Sequence, residues 1–298
     1  MSEASKSPDR LTILAFFFTA LFGGGNSVAI RFSNVELGPF WGASIRFAAS
    51  ALIFWLILWL RRIPIPQRRD SIVLLLTGFF SVGVSFGLLY LGLVKVQASL
   101  GSVIIALGPL LTLFFAILHR IESFRWQGLL GGLIALVGIG ISARAQLGLE
   151  VPFIYLLSQL AGAAVSAEGN VILKILSPKS DPMVTNAITL SAGLAFLLFA
   201  SILVGESHNL PVLPATWAAI GYLVLPGSVI MLYLFLWILS RWSASATSYV
   251  IMLFPIVATI AGSLLAGETI TPSFILGGIL VLIGVWVGAL MPFDLTSH

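Results

Sequence analysis

Residues 98–142 read ASLGSVIIALGPLLTLFFAILHRIESFRWQGLLGGLIALVGIGIS, and residues 244–288 read ASATSYVIMLFPIVATIAGSLLAGETITPSFILGGILVLIGVWVG. A constant shift of 146 pairs Ala98 with Ala244, Ser99 with Ser245, Ser102 with Ser248 and Pro109 with Pro255. The same shift pairs Glu122 with Glu268, Gly131-Gly132 with Gly277-Gly278, and Gly138 with Gly284. The chain is therefore written twice. Each copy holds five hydrophobic spans, an odd number, so the second copy enters a membrane upside down relative to the first. Inverted repeats of this kind are common in secondary transporters, whose substrates bind between the repeats.

Composition agrees with a membrane setting. Only 9% of the 298 residues are charged and 59% are apolar, with mean hydropathy +1.09. A soluble domain carries about 25% charged residues. The net charge of +4 is no nucleic-acid signal, because the basic residues sit in short loops between apolar spans. Without cysteine, disulfides, thiolate metal sites and Cys nucleophiles are excluded. The polar start MSEASKSPDR runs into a long apolar stretch with no small-residue cleavage site, so it reads as an uncleaved first span.

A bilayer core takes about 20 apolar residues per helix. Ten spans fit: 11–31, 38–60, 71–91, 98–119, 124–143, 152–175, 182–204, 214–238, 244–266 and 272–291. Lys and Arg gather on the cytoplasmic side of short loops. With the N-terminus inside, the inner segments hold eleven such residues and the outer ones three, Arg31, Lys95 and Arg144. That predicts N- and C-termini in the cytoplasm, as an even number of spans requires.

The duplication reaches further at a shift of 143, which pairs Val28 with Val171, Arg31 with Lys174, Pro39 with Pro182, Gly78 with Gly221, Ser85 with Ser228 and Tyr90 with Tyr233. The change of shift places three extra residues near Arg241 in the second copy. The expected organisation is one all-α integral membrane domain of ten transmembrane helices in two inverted five-helix repeats, 1–147 and 148–298.

The first copy opens with Phe22-Gly23-Gly24-Gly25-Asn26-Ser27-Val28-Ala29-Ile30-Arg31, followed by Pro39-Phe40 and Ile45-Arg46-Phe47. Both copies close on the proline, glutamate and glycine pattern of the opening match. This resembles the drug/metabolite transporter superfamily in its ten-helix EamA-type branch, over nearly the whole chain. Within that branch the chain is similar to YddG-type exporters of amino acids. The resemblance implies two inverted five-helix repeats around a central cavity, and export or exchange of small metabolites. The family's usual Trp before the first-span glycine is Phe22 here, and its ring can serve the same packing role.

Polar side chains within the spans are the candidates for substrate contact. Asn26 sits beside three glycines, and its carboxamide can hold an ammonium or a carboxylate; the alternative is an interhelical packing bond. Arg46 lies about 12 Å into the second span at 1.5 Å per residue. It reads as a carboxylate clamp or as a structural Arg that snorkels to the surface or binds helix-end carbonyls. Glu168 is the acid inside a span, able to bind an amine or a coupling proton. Ser81 and Ser85 share a face of the third span, and Ser99 and Ser102 match Ser245 and Ser248. With Ser228 they form a symmetric set of candidate cavity-wall hydroxyls; the alternative is back-bonding to the preceding turn. Trp237 and Tyr249 are placed to stack on an aromatic substrate or to pack.

Tyr90 and Tyr233 read as interfacial anchors or as paired gates. Pro109 and Pro255 kink mid-span helices and are candidate hinges. Gly131-Gly132 and Gly277-Gly278 read as close packing, while Gly128–Gly132 and Gly284–Gly288 make small-residue faces. Glu122 and Glu268 read as caps on spans 5 and 10.

Other function classes fit worse. There is no HExxH, no GxSG with an intramembrane His and no intramembrane Asp pair, and His119, His208 and His298 lie at span ends or tails. A channel needs a continuous polar pore. The expectation is an exporter of small neutral and aromatic amino acids in a bacterial inner membrane, working by alternating access. Its partners are the substrate and the lipid bilayer, with no nucleic acid, no cofactor and no metal. An oligomer is possible but not required. The cavity would lie between spans 1, 3, 4, 6, 8 and 9, with spans 2, 5, 7 and 10 as scaffold.

Overall fold

The computed structural model describes residues 10–122, 126–144, 152–176, 178–242, 247 and 249–287. Among them every regular element is helical. The helices are α1 Arg10–Ser33, α2 Pro39–Arg61, α3 Arg68–Gly92, α4 Ala98–Leu118, α5 Trp126–Arg144, α6 Phe153–Leu176, α7 Pro182–Val204, α8 Pro214–Leu239, α9 Val250–Ala266 and α10 Pro272–Val285. Seven of these, α1 to α4 and α6 to α8, are long and apolar enough to cross a membrane; α5, α9 and α10 are shorter apolar helices. Proline sits in the first turn of α2, α7, α8 and α10, where a missing N–H costs nothing. α7 and α9 end on Gly205 and Gly267 at φ 74° and 63°, a left-handed conformation that a Cβ would oppose. Exposed Leu56, Trp59, Leu264 and Ile279 face what in a bilayer is hydrocarbon.

The packing repeats itself as the duplication demands. α2 lies along α7, and α5 along α10. α1 packs on α8 and α9, α6 packs on α3 and α4, and α4 meets α9. The largest buried cluster joins Phe47 and Phe54 of α2, Leu74 and Tyr90 of α3, and Leu190 and Leu197 of α7. α5 and α10 touch backbone to backbone: a Cβ on Gly138 would reach the Gly277 carbonyl, and one on Gly284 would reach the Gly131 carbonyl. The expected double-glycine packing holds only in part, because Gly132 and Gly278 face open space. A helix turns 100° per residue, so adjacent glycines cannot share one contact. Gly288 lies outside the described residues.

Five helices are interrupted inside the bundle. α1 breaks at Gly25, between Arg10–Gly24 and Asn26–Ser33. α4 breaks between Ala98–Ile105 and Gly108–Leu118, and α9 starts as a 3₁₀ turn over Tyr249–Leu253 ahead of Phe254–Ala266. Repeat-mates α3 and α8 each contain a π turn, Phe79–Val84 and Leu225–Ile230. Pro109 and Pro255, both buried, follow directly on the breaks in α4 and α9. The two breaks face one another, since a Cβ on Gly108 would lie 3.1 Å from Ile251.

At one end of the bundle, carboxylates from one half cap helices of the other. Glu206 accepts from the Phe40 and Trp41 amides at the start of α2, at 3.1 and 2.7 Å, and from Ser201 at 2.8 Å. Glu268 accepts from the Ala98 and Ser99 amides at the start of α4, at 2.8 and 3.2 Å, and pairs with Arg31 at 2.8 Å. The expectation that Glu268 caps α10 is thereby corrected: Thr271 caps α10 by accepting from the Phe274 amide, and the carboxylate turns to α4. Glu36 accepts from the Val212 and Leu213 amides just ahead of α8.

Two tests follow from this packing. Gly277→Ala should lower the unfolding temperature in detergent, by the equivalent of about 1–3 kcal/mol for an overpacked contact. Gly278→Ala, next to it but in open space, should leave it unchanged or raise it, since Ala outranks Gly in a helix by about 0.5–1 kcal/mol. Equal losses would refute the assigned contact face. Glu36 gives a pH test. The Thr216 hydroxyl, then the Val212 and Leu213 amides, hold its carboxyl below the ordinary value of 4.5. The bond therefore stabilises the fold above that pH, and the contribution disappears as pH falls through the folded value. Glu36→Gln should remove this part of the acid sensitivity in thermal unfolding.

Candidate functional site

The π turn of α8 is the meeting point of the candidate polar residues. The amides that close this turn bond to the Pro226 and Ser228 carbonyls. The Gly227 carbonyl between them accepts from Arg46 Nη2 at 2.7 Å and Asn26 Nδ2 at 3.1 Å. Arg46 Nε donates to Ser228 Oγ at 2.7 Å. Asn26 comes from the break in α1 and Arg46 from α2, so three helices and both halves of the chain converge on one peptide group. Arg46 is 0% exposed, with its guanidinium 5.0 and 5.3 Å from the ring centres of Phe47 and Phe86. Tyr90 is also 0% exposed, and its hydroxyl faces the guanidinium at a geometry short of a hydrogen bond. Three buried atoms at this place have no partner: Arg46 Nη1, Asn26 Oδ1 and Tyr90 Oη.

Two alternatives weighed for these residues do not describe them. Arg46 does not snorkel; it takes the other structural course and binds a carbonyl freed by a helix break, Gly227 of α8. Tyr90 is no interfacial anchor, because burial is complete. The glycines beside Asn26 admit other helices: Gly23 and Gly24 seat against Phe254 and Val257 of α9, and Gly25 against the Tyr222 hydroxyl.

The serines fall into two groups. Ser81 and Ser102 turn back on their own helices, donating to the Thr77 and Ser99 carbonyls at 2.7 Å each. Ser85 instead reaches across to the Gly162 carbonyl of α6 at 2.9 Å. Ser158 and Gln159 answer it from α6, donating to Leu88 and Leu89 at 2.7 and 2.6 Å. Ser99 is buried at the Glu268 cap. Ser245 and Ser248 lie outside the described residues, as does the side chain of Tyr249.

The other end of the bundle is differently built. Glu168 of α6 meets His119 at the end of α4 across 2.7 Å, a pair that ties the two halves together. Lys174 donates to the Leu239 and Trp242 carbonyls at 3.1 and 3.2 Å. Trp237 carries the Arg241 guanidinium over its ring at 3.5 Å, and Tyr233 packs against the main core. A pocket of about 220 Å³ opens here between α6, α7 and α8, lined by Leu173, Lys174, Thr185, Leu236 and Leu239 among others. Among the described residues no three His, Asp or Glu side chains gather as a metal site.

Sequence reasoning missed the partners. Glu36, Glu206 and Gln159 lie in or near loops or in an apolar span, and the helix amides and carbonyls they bind lie 70 residues or more away in the chain. The one available signal was position: Glu36 and Glu206 lie within the connecting segments that precede proline-initiated helices.

Comparison with known proteins gives this arrangement its family. A model described as the EamA-like transporter family matches twice, over residues 10–144 and 153–289. An uncharacterized transporter of Archaeoglobus fulgidus is 27% identical over 281 residues, covering 90% of this chain and 95% of that protein. The uncharacterized inner membrane transporter YedA of Escherichia coli K12 is 28% identical over 263 residues, covering 86% and 83%. A crystal structure of a protein 19% identical to this one superimposes with a TM-score of 0.70, over 95% of this chain and 99% of that one, which shows the shared fold. With its ten helices and doubled sequence, the chain belongs to the EamA-like transporter family and is a membrane transporter of that type.

Proposed function

We propose that this protein exports small neutral and aromatic amino acids from the cytoplasm across a bacterial inner membrane, by alternating access. The observation that carries the reading is the convergence of interrupted helices. In hydrocarbon an irregular helix is tolerated only where protein or a lined cavity satisfies its backbone, and such breaks mark substrate sites in secondary transporters. Here the breaks of α1, α4 and α9 and the π turns of α3 and α8 all fall among the six inner helices, whereas α2, α5 and α7 of the scaffold run unbroken. The inner helices also hold the sparse amides, hydroxyls and rings that suit a small zwitterion with a variable side chain.

The carboxylate caps then lie at the periplasmic end, and the basic loops Arg61–Arg69 and Arg120 at the cytoplasmic end, where the termini also belong. The three cross-half caps hold the periplasmic end shut, and the pocket beside Lys174 opens towards the cytoplasm. Export requires the caps of Glu206 and Glu268 to part while the pair of Glu168 and His119, formed here at 2.7 Å, holds the opposite end together.

Counterflow of labelled amino acids into liposomes tests the reading. The expected result is saturable exchange with a panel of neutral and aromatic amino acids, with Asn26→Ala lowering the rate about tenfold, the equivalent of one buried polar contact. Flux that rises linearly without saturation would sink the carrier, and exchange only with other metabolites would sink the amino-acid assignment. Orientation is testable because the chain has no cysteine. A thiol placed at Ser207 should react with a membrane-impermeant maleimide in spheroplasts, and one at Gln67 should not. The reverse pattern refutes the orientation.

A further inference from the structure

We propose that Arg46, Tyr90 and Asn26 form the head-group site of the transported molecule. Arg46 Nη1 and Tyr90 Oη donate to a carboxylate, and Asn26 Oδ1 accepts from the ammonium of the same zwitterion. The proposal rests on the amino-acid reading above and names its binding atoms.

The first argument is charge. A guanidinium is protonated under all conditions a protein meets. Arg46 is 0% exposed, yet its hydrogen bonds go to a neutral hydroxyl and a neutral carbonyl. Among the described residues the ion pairs are Arg31 with Glu268 and His119 with Glu168; none includes Arg46. A buried cation without a counter-ion is costly, and a carboxylate arriving there would relieve the cost.

The second argument is the set of free valences. Buried polar atoms are almost always hydrogen-bonded. Arg46 Nη1, Tyr90 Oη and Asn26 Oδ1 are all unpartnered, all on residues at most 8% exposed, and all around Gly227. The guanidinium can only donate, the amide oxygen can only accept, and the hydroxyl beside Arg46 can turn its proton to an arriving carboxylate. A carboxylate alone would leave the amide oxygen unused, and an amine alone would leave the guanidinium unpaired. A zwitterion uses all three.

The third argument compares the two copies. The positions of Asn26 and Arg46 are occupied in the second copy by Gly169 and Thr189. There α3 closes directly on its neighbours: a Cβ on Gly169 would strike Ser81, and one on Gly78 would strike the Thr189 backbone. Thr189 itself bonds to its own helix, at the Thr185 carbonyl, 2.8 Å away. The second copy thus closes this crossing without an Asn or an Arg at the matching positions. Their presence in one copy answers to something other than the fold.

The site is sealed in this conformation, so the structure corresponds to a closed state.

Competition in the counterflow assay decides the matter. Tyr90→Phe removes a hydroxyl that makes no well-formed hydrogen bond, so the unfolding temperature should change little, while KM for amino acids should rise about tenfold, as for loss of a hydrogen bond to a charged group. Arg46→Lys, which keeps the charge but cannot reproduce the fork, should raise KM likewise. In the wild type, amino-acid amides and decarboxylated amines should compete at least about tenfold more weakly than the parent acids, and Tyr90→Phe should narrow that gap. A purely structural role predicts unchanged selectivity between acid and amine. Wild-type KM in Tyr90→Phe, or amines that compete as well as their acids, overturns the head-group site alone. Absence of any amino-acid counterflow in the wild type overturns the amino-acid reading and this site with it.

Discussion

In hydrocarbon every backbone amide and carbonyl must find its partner inside the protein, and this chain breaks five of its helices there. Water is not available to repair a broken ladder, and each unsatisfied group costs several kcal/mol in order of magnitude. The breaks are therefore where the two halves of the chain are obliged to hold each other. The Gly227 carbonyl in the π turn of α8 is answered by α1 and α2. On the other side of the bundle, Ser85 follows the π turn of α3 and bonds to Gly162 of α6.

The same rule governs helix starts. The first amides of a helix have no intrahelical acceptor. In α2 and α4 they face Glu206 and Glu268, whose charge also complements the helix dipole. Glu268 serves Arg31, Ala98 and Ser99 together. One carboxylate thus ties α1, α4 and the start of α10 into a single closure. Because each cap comes from the other half, moving the halves apart at this end exposes several donors at once. Backbone contact through Gly138, Gly277 and Gly284, by contrast, holds α5 directly to α10, and that pair suits a scaffold.

Much of this was legible in the sequence because duplication is a statement about contacts as well as length. The shift that aligns Pro39 with Pro182 and Ser85 with Ser228 makes α2 the mate of α7 and requires α3 with α6 to mirror α8 with α1. Hydropathy and proline placement marked the helices, and Pro109 and Pro255 marked two of the breaks. Pro226-Gly227 marks α8 for a break in LPGSVI, but nothing in FFSVGV separates the matching π turn of α3 from a glycine-containing α-helix. The carboxylate caps were not legible either: a glutamate next to a helix start reads as the cap of that helix, and Glu268 faces another one. The partner of Arg46 was hidden for the same reason. A sequence shows that a buried Arg needs acceptors but not which of 298 carbonyls a distant turn will release.

The two copies solve one packing problem in two ways, and the difference locates function. Where α3 crosses α6 and α7, Gly78, Gly169 and Gly193 bring backbones and short side chains into direct contact. Where α8 crosses α1 and α2, contact is made at the length of a carboxamide and a guanidinium, and the approach of α2 to α8 is correspondingly looser. Direct contact is rigid and complete. Contact at arm's length leaves polar atoms over, because a planar five-donor fork seldom finds five acceptors in an apolar bundle. A fold seeking only stability would place glycine and threonine at both crossings, as the second copy demonstrates that it can. Retaining a buried, unneutralised cation at one of them holds that crossing away from its most stable arrangement. On the proposed head-group reading, a ligand that supplies the missing charge for part of a cycle would make both states of such a crossing accessible.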